Sequence, residues 1–422
     1  MKVLVLGSGG REHALCWKLS QSPLVSELHC TPGNAGIAQI AHVHLGDAVE
    51  VAQRIGADFV VVGPDGSLAD GVIDRLRAIG ISCFGPTQSA ARLESSKIFC
   101  KDLLRKHRIP TGASDSFETA EAARAWLKNR DDATPVVVKA DGLAVGKGVV
   151  IARNREEAIA AVDEVLGIAR ATSEKSSERI LVEEFLEGEE VSLLALTDGE
   201  DVLPLVPAQD HKRLGDGDAG PNTGGMGCYS PVPVFTSALF EEAVETVLKP
   251  TVRALKAEGI HYSGVLYAGL MLTATGMKVL EFNCRFGDPE TQVVLPRMTS
   301  DLLPLLLACS DAAAHEYSLN DLPCEWTSEA AVCVVMAAHG YPGTARRGDM
   351  IHGLQEAESD ALVFHAGTAS RDDEIVTNGG RVLGITALGE NFAQARENCY
   401  RAVETIGFEG AQYRSDIGWR AR

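Results

Sequence analysis

Long apolar runs are missing from this chain of 422 residues. Leu302–Cys309, LLPLLLAC, is far shorter than a bilayer span and contains Pro304. The first strand-sized apolar run stops at Gly7, without the longer hydrophobic region of a secretory signal. The ten cysteines include no C-x-x-C pair, which argues against the familiar redox and zinc spacings. They read as reduced thiols, most of them packing residues in a cytoplasmic protein. Positive charge is also short: 39 Lys and Arg face 58 Asp and Glu, a net charge of −19. Such a surface argues against nucleic acid or an anionic membrane as a general partner. Anionic small molecules must then be met in local basic pockets. The apolar fraction, 45%, supports sizeable cores, and the length suits two to four domains.

Val3–Leu6 reads as a buried strand, followed by Gly7-Ser8-Gly9-Gly10-Arg11-Glu12 and a helix to about Ser20. Strand, glycine turn and helix predict a doubly wound parallel sheet with backbone N–H groups facing an anion. The dinucleotide fingerprint needs glycine at position 12, where Glu12 stands. The second strand, Glu27–Thr31, runs into Pro32-Gly33-Asn34-Ala35-Gly36 rather than a ribose-binding acid. NAD is therefore not expected. The two glycine loops suit one phosphate or small-anion site, the alternative being plain turns. Phe59–Val62 leads to Asp65 at the same sheet edge. There a carboxylate can contact a sugar hydroxyl or an amine, or cap a helix from about Leu68.

Further on, strands Val136–Lys139 and Val149–Ala152 flank a glycine-rich tip, Asp141–Gly148. Gly148 replaces the hydroxyl residue of a Walker loop, and a strand rather than a helix follows. Such a hairpin can fold over a triphosphate, with Lys139 and Lys147 as point charges. Arg155–Leu166 reads as an amphipathic helix and Ala171–Glu178 as a polar loop. Ile180–Leu186 is an apolar strand carrying Glu183 and Glu184 and running into Glu187–Glu190, which suits a hinge for adenine and ribose. Gln209–Arg213 and Asp216–Asp218 flank GPNTGGMG, residues 220–227, whose glycines permit close approach to a ligand. A substrate loop is expected there. The region after 326 reads as α+β with no cofactor motif, and Arg414 and Asp416 near its end are placed to pair.

The most informative stretch is Val279–Gln292, VLEFNCRFGDPETQ. Strand alternation places Glu281, Asn283 and Arg285 on one face and Leu280 and Phe282 on the other. A carboxylate and an amide oxygen suit a hard cation such as Mg²⁺, and Arg285 suits phosphoryl oxygens. A simple Glu281–Arg285 ion pair is the competing reading. Gly287 allows a turn, and Asp288-Pro289-Glu290 reads as a helix start.

In their order these stretches, with Val376–Leu388 (VTNGGRVLGITAL), resemble the phosphoribosylamine–glycine ligase family, or glycinamide ribonucleotide synthetases, of the ATP-grasp superfamily. DHKRLGDGDAGPNTGGMG and EFNCRFGDPETQ are its most specific motifs. The resemblance runs from the first strand to Arg414–Gly418. It implies an α/β and α+β multidomain chain: a Rossmann-like domain over 1–102, an ATP-grasp domain over 103–325 with a mobile lid at about 122–193, and a small α+β domain over 326–422. It implies joining of glycine to 5-phosphoribosylamine with ATP as co-substrate and Mg²⁺ or Mn²⁺, in a cytoplasmic monomer or weak homodimer. Carried over, Glu281 and Asn283 are metal ligands, and Arg285, Asp210 and Lys212 are catalytic. Lys97, Lys139, Gly146, Lys147 and Gly148 meet the nucleotide phosphates, Glu183, Glu184, Phe185 and Leu186 the adenine, and Glu190 the ribose. Gly9, Gly10, Arg11, Asn34, Ala35, Gly36, Asp65, Gly224, Gly225, Met226, Asp288, Pro289, Glu290 and Thr291 face the other substrates. Asp65-Gly66-Ser67 departs from the family pattern, which usually has glutamate first. The competing classes are another ATP-grasp ligase or carboxylase, a Rossmann oxidoreductase, and a nucleotide-binding regulator without turnover.

Overall fold

In the computed structural model, which describes residues 1–132, 134–143, 148–172, 178–310 and 318–421, four larger sheets surround one cleft. The first is parallel, in the order His42–Val43, Glu27–Pro32, Lys2–Gly7, Phe59–Val62, Ser82–Phe84. Its central strands are apolar on both faces, as expected of a sheet covered by helices on each side. The helix Gly10–Leu19 follows the first strand and packs against Thr291–Arg297 of the central region. Leu15, Leu19, Val293, Leu306 and Cys333 share one buried cluster, so the core runs across the sheets rather than stopping at each.

Two antiparallel sheets form the next part. Val202–Pro204, Glu189–Thr197, Gly264–Thr273 and Gly276–Asn283 make one, and Ser114–Phe117, Ile180–Glu184, Val136–Ala140 and Val149–Ala152 the other. The long helix expected over Phe240–Glu258 is present but interrupted: a π-turn at Val244–Leu248 separates Ser237–Ala243 from Lys249–Ala257. Pro250, which has no N–H, follows that turn. The helix from Arg155 runs on to Thr172, past the expected Leu166, and residues 173–177 of the expected polar loop lie outside the described residues. Among the described residues no helix is long and apolar enough to cross a membrane. Nine of the ten cysteines are buried and all are free thiols, as their scatter suggested.

The fourth sheet crosses sequence regions. Gln209–Asp210 and Gly227–Ser230 pair onto Ala330–Ala337, Arg381–Gly389 and Leu362–His365. The segment carrying Asp210 and Lys212 is thus built onto the C-terminal strands. Asp216 and Asp218, expected to flank a substrate loop, serve the fold instead. Asp216 accepts from the Ser415 N–H at 2.9 Å, and Asp218 from Arg414 at 2.8 Å. Arg414 is fully buried and also grips Asp416 through two bonds of 2.7 and 2.8 Å, the pairing expected from sequence.

Arg414→Met is therefore expected to destabilise the protein by about 3 kcal/mol, because it strips two carboxylates of their shared cation. Burial tends to raise Asp416, but Arg414 and the Gly217 N–H outweigh it and hold the carboxyl down at about 2. A depressed folded pKa stabilises above the ordinary value of 3.8. That contribution fades as pH falls toward 2, so the wild-type advantage in thermal midpoint should shrink between pH 4 and pH 2. An equal midpoint for Arg414→Met at pH 7 would contradict this assignment.

Candidate active site

A cleft of 510 Å³ opens between the sheets. One end is cationic. Lys139 and Glu183 are diagonal neighbours across an antiparallel strand pair, and the amine stands 3.2 Å from the carboxylate. Lys101 reaches the same Glu183 oxygen at 3.2 Å and donates to Thr111 Oγ1 at 2.6 Å. The other Glu183 oxygen, Oε1, is buried without a hydrogen-bond partner among the described residues. Lys97 begins the helix Lys97–Lys106, N-capped by Ser96, and donates to the Gly142 carbonyl at 2.6 Å. Lys101 lies one turn further along the same helix face. Burial lowers the Lys97 and Lys101 pKa values. At Lys139 burial also acts downward, but Glu183 and Glu281 prevail and the pKa rises. Glu184, Phe185, Leu186 and Gly148 line this end too, whereas Gly146 and Lys147 lie outside the described residues.

The middle of the cleft carries Glu281, Asn283 and Arg285. The alternation expected there is broken by a bulge: Gly269 faces Glu281, but Leu270 faces Val279, leaving Leu280 as the extra residue. Leu280, placed by sequence on the opposite face, therefore also lines the cleft. Phe282 contributes to the wall as well as to the core beneath. Arg285 does not simply pair with Glu281. Its guanidinium stands 3.1 Å from Glu94 and donates to Asn283 Oδ1 at 3.2 Å. Its Nε is buried with no hydrogen-bond partner among the described residues. Burial raises the Glu94 pKa, opposed by Arg285. Burial would also raise Glu281, but Lys212, Lys139, Lys97 and Arg285 overcome it and keep the carboxylate ionised. The donor set of Glu281 and Asn283 is oxygen only, which fits a hard divalent cation.

Beside these lies an acidic recess. Tyr267, opposite Asn283 in the strand register, donates to Glu290 Oε1 at 2.6 Å, and Ser192 Oγ lies 3.2 Å from the same oxygen. Lys212 bridges Glu190 at 2.6 Å and Asp210 at 4.0 Å. Burial lowers and these acids raise Lys212, with the acids prevailing. Burial pushes the Asp210 carboxyl up to about 7; Glu290 and Glu190 add to the rise and Lys212 opposes it.

The last wall draws on both terminal regions. Arg11 and Asp65 come from helices that follow strands of the N-terminal sheet, Arg381 from a strand of the C-terminal one, and Asp288 and Gly224 lie between. Arg11 donates to the Phe286 carbonyl at 3.2 Å, and Asp65 opens the short helix Asp65–Ala69, accepting from the Gly66 N–H at 3.0 Å. Burial tends to raise Asp288, but Arg381 and Arg11 hold it low. Glu12, which stands at the third glycine position of the dinucleotide fingerprint, folds back under the loop and accepts the Gly9 N–H at 2.6 Å. A Cβ on Gly7 or Gly63 would lie 2.4 or 2.1 Å from its side chain. The carboxylate thus packs closely beneath both glycines and takes the Gly9 N–H for itself.

Several expected contacts stand behind the wall. Asn34 donates to the Ser8 and His365 carbonyls at 2.9 and 2.8 Å and accepts from the Gly36 and Ile37 N–H groups. That uses its whole amide, so Asn34 shapes the loop. Ala35 is buried beside it, and Gly36 is closed over by His13 and His365, whose rings a Cβ would approach to 2.5 Å. Gly9 lies close to Asp288, and Gly10 packs against Gln292. Gly225 sits against Pro289 at a φ of +111°, Met226 is buried, and Thr291 donates to the Gly287 carbonyl at 2.5 Å. Sequence reading did not single out Glu94, Lys101, Tyr267 or Arg381. Two signals were available: Lys101 is four residues from Lys97, and Arg381 follows a glycine pair in VTNGGRVLGITAL.

A parallel sheet, two antiparallel sheets and a cleft with lysines facing a carboxylate–amide–guanidinium row define an ATP-grasp protein. Residues 1–94, 95–291 and 331–420 match the N domain, the ATP-grasp (A) domain and the C domain of phosphoribosylglycinamide synthetase. A phosphoribosylamine–glycine ligase of Escherichia coli strain K12 is 50% identical, covering 100% of this chain and 99% of the relative. One from Caulobacter vibrioides is 51% identical, covering 100% and 98%. The crystal structure of a phosphoribosylamine–glycine ligase from Thermotoga maritima superposes with a TM-score of 0.86 at 35% identity, covering 99% of this chain and 100% of that one. The crystal structure of a biotin carboxylase–beta-gamma-ATP complex from Campylobacter jejuni shares the fold, at a TM-score of 0.73 and 14% identity over 98% of this chain and 92% of that one. The chain belongs to the phosphoribosylglycinamide synthetase family.

Proposed function

We propose that this protein joins glycine to 5-phosphoribosylamine, converting ATP to ADP and phosphate, as its relatives' name describes. The observation that carries the reading is the cleft's division of charge. Lysines and Arg285 gather at Glu281 and Asn283, while Asp210 and Glu290 form an acidic recess beside them. An amino acid bound between these halves turns its carboxylate toward the phosphoryl group and its ammonium toward the acids.

A free carboxylate is a poor acyl donor because its leaving group is oxide. One carboxylate oxygen of glycine therefore attacks the γ-phosphorus, the bond to the β-phosphate oxygen breaks, and ADP departs. The glycyl phosphate is then attacked at carbon by the amine, which loses a proton as phosphate leaves. Lys97, Lys139 and Arg285 hold the phosphoryl oxygens and offset the charge that develops on them. A divalent cation, Mg²⁺ or Mn²⁺, held by Glu281 and Asn283 supplies further charge neutralisation at the triphosphate when bound. Glu183–Leu186 hold the adenine and Glu190 the ribose, and Gly146–Gly148 the phosphates. The amine substrate lies along Gly9–Arg11, Asp65, Gly224 and Asp288. The protein works in the cytoplasm, as a monomer or weak homodimer, with small molecules as its partners.

The test is substrate dependence: ADP should form only when glycine and phosphoribosylamine are both present. ADP formation with bicarbonate in place of glycine would point to a carboxylase instead. A pH effect follows from Asp210. With its carboxyl raised to about 7, it is protonated in acid and ionises as pH rises through 7. Since the anion is the form that holds an ammonium, kcat/KM for glycine should fall about tenfold per unit below pH 7. Asp210→Asn should flatten that limb; a profile already flat in the wild type would remove Asp210 from the glycine site.

A further inference from the structure

We infer that Tyr341 and Arg381, both from the C-terminal region, are positioning residues for the amine substrate: together they clamp the Gly224 backbone and Asp288 at the shared wall of the cleft. The inference rests on the ligase reading above and names residues that act through others.

The Gly224 backbone is held on both sides, through two successive peptide groups. Its N–H donates to the Tyr341 hydroxyl at 3.0 Å, and its carbonyl accepts from Arg381 at 2.6 Å. The same guanidinium donates to the Asp288 carbonyl at 2.8 Å and stands 3.2 Å from the Asp288 carboxylate. That carboxylate in turn accepts from Gln292 at 2.7 Å, and a Cβ on Gly9 would lie 3.3 Å from it. Asp288 therefore stands beside the first glycine loop while Arg381 binds it to the C-terminal region. Local sequence makes the clamp possible. A Cβ on Gly380 would lie 2.5 Å from the Tyr341 ring, and one on Gly379 would lie 2.8 Å from Gly367 Cα. Only glycine at both places lets the chain pass beneath Tyr341 and deliver Arg381 to the wall, which gives the Gly379-Gly380-Arg381 run a physical reason.

The wall faces the acceptor rather than the nucleotide. Adenine and phosphates are served by Glu183–Leu186, Lys139 and Lys97, on elements that neither Tyr341 nor Arg381 touches. The amine adds to a face of the planar acyl group and phosphate leaves from the tetrahedral adduct, so the amine needs a wall of its own, and Gly224 and Asp288, with Gly9 beside them, form one. Loosening the clamp should therefore displace the amine and leave ATP and glycine in place.

The experiment compares full-length wild type, Arg381→Met, Arg381→Lys and Tyr341→Phe, with phosphoribosylamine generated in situ from ribose 5-phosphate and ammonia. Arg381→Met should raise KM for the amine at least about tenfold, with KM for ATP and glycine changed less than about twofold. Arg381→Lys, keeping the charge but losing the fork, should recover part of the loss. Tyr341→Phe, losing one hydrogen bond, should raise the amine KM about threefold. An unchanged amine KM in folded Arg381→Met, or an equal rise for all three substrates, would overturn the inference. Should Arg381→Met fail to fold, Tyr341→Phe decides alone, and an unchanged amine KM overturns it. Wild-type protein that makes no ADP with all three substrates would defeat the ligase reading, and this inference with it.

Discussion

Replacing Glu281 with Gln should lower kcat by about 10³-fold or more while leaving the protein folded. The substitution keeps size and one oxygen and removes a negative charge at the point where four cations converge. Lys212, Lys139, Lys97 and Arg285 all act on Glu281, and the carboxylate holds them in place for the triphosphate. The side chain points into the cleft, and Gly269 opposite it leaves room, so little packing is lost. A fall of that size corresponds to about 4 kcal/mol of transition-state stabilisation. Steady-state kinetics alongside a thermal midpoint near the wild-type value would establish it. A folded Glu281→Gln protein turning over at near-normal rate would take the residue out of the reaction.

Arg285→Lys should reduce kcat by about 10²–10³-fold with a smaller effect on KM for ATP. Lysine preserves one charge but not the planar fork, and the geometry uses the fork. One arm faces Glu94 at 3.1 Å and Asn283 at 3.2 Å, while the buried Nε has no partner of its own among the described residues. The phosphoryl role proposed for Arg285 rests on the guanidinium's place in the cleft wall beside Asn283. Burial already raises the Glu94 pKa against the pull of Arg285, so a displaced cation should let Glu94 take up a proton more readily. The measurement is kcat and KM for each substrate in turn. A change confined to KM for ATP would make Arg285 a simple nucleotide contact.

Much of this site was legible because its chemistry is concentrated in short runs. Glu281, Asn283 and Arg285 sit two residues apart at the end of one strand, so alternation singled them out; Asp210 and Lys212 stood out as charges beside a glycine-rich run, and the family resemblance gave them their roles. What escaped was held together by tertiary contacts. Glu94 lies on the helix Gln88–Ser95, far in sequence from the Arg285 it pairs with. Tyr267 was one apolar-strand residue among ten until the register set it opposite Asn283. Leu280 was assigned to the wrong face because period-two counting cannot see a bulge, which depends on the partner strand. The glycine loops show what sequence leaves out. Backbone N–H groups at a strand end suggested an open anion site, yet Glu12 takes the Gly9 N–H and Asn34 exhausts its amide on protein groups. Sequence marks where polar groups are; it does not mark which are already satisfied.

The division of GPNTGGMG and its flanks carries the same lesson. Charges of both signs around a glycine-rich segment suggested one substrate loop. In the fold, Asp216 and Asp218 turn away to bind the Arg414–Ser415 tail, while Asp210 and Lys212 from the preceding flank reach the cleft with Asn222, Thr223 and Gly224. The acids stabilise the hairpin Arg213–Gly215 with Ala219–Asn222, and that hairpin presents Gly224 to the wall.

The central claim is that the glycine carboxylate itself attacks ATP, and its most direct test is isotopic. Glycine carrying ¹⁸O in both carboxylate oxygens is run to product with ATP and phosphoribosylamine, and the released phosphate is analysed by mass. Transfer through glycyl phosphate places one ¹⁸O in each phosphate and leaves the other in the amide. Phosphate free of label would mean that the carboxylate never bonded to phosphorus, and the mechanism would be wrong even with the right product.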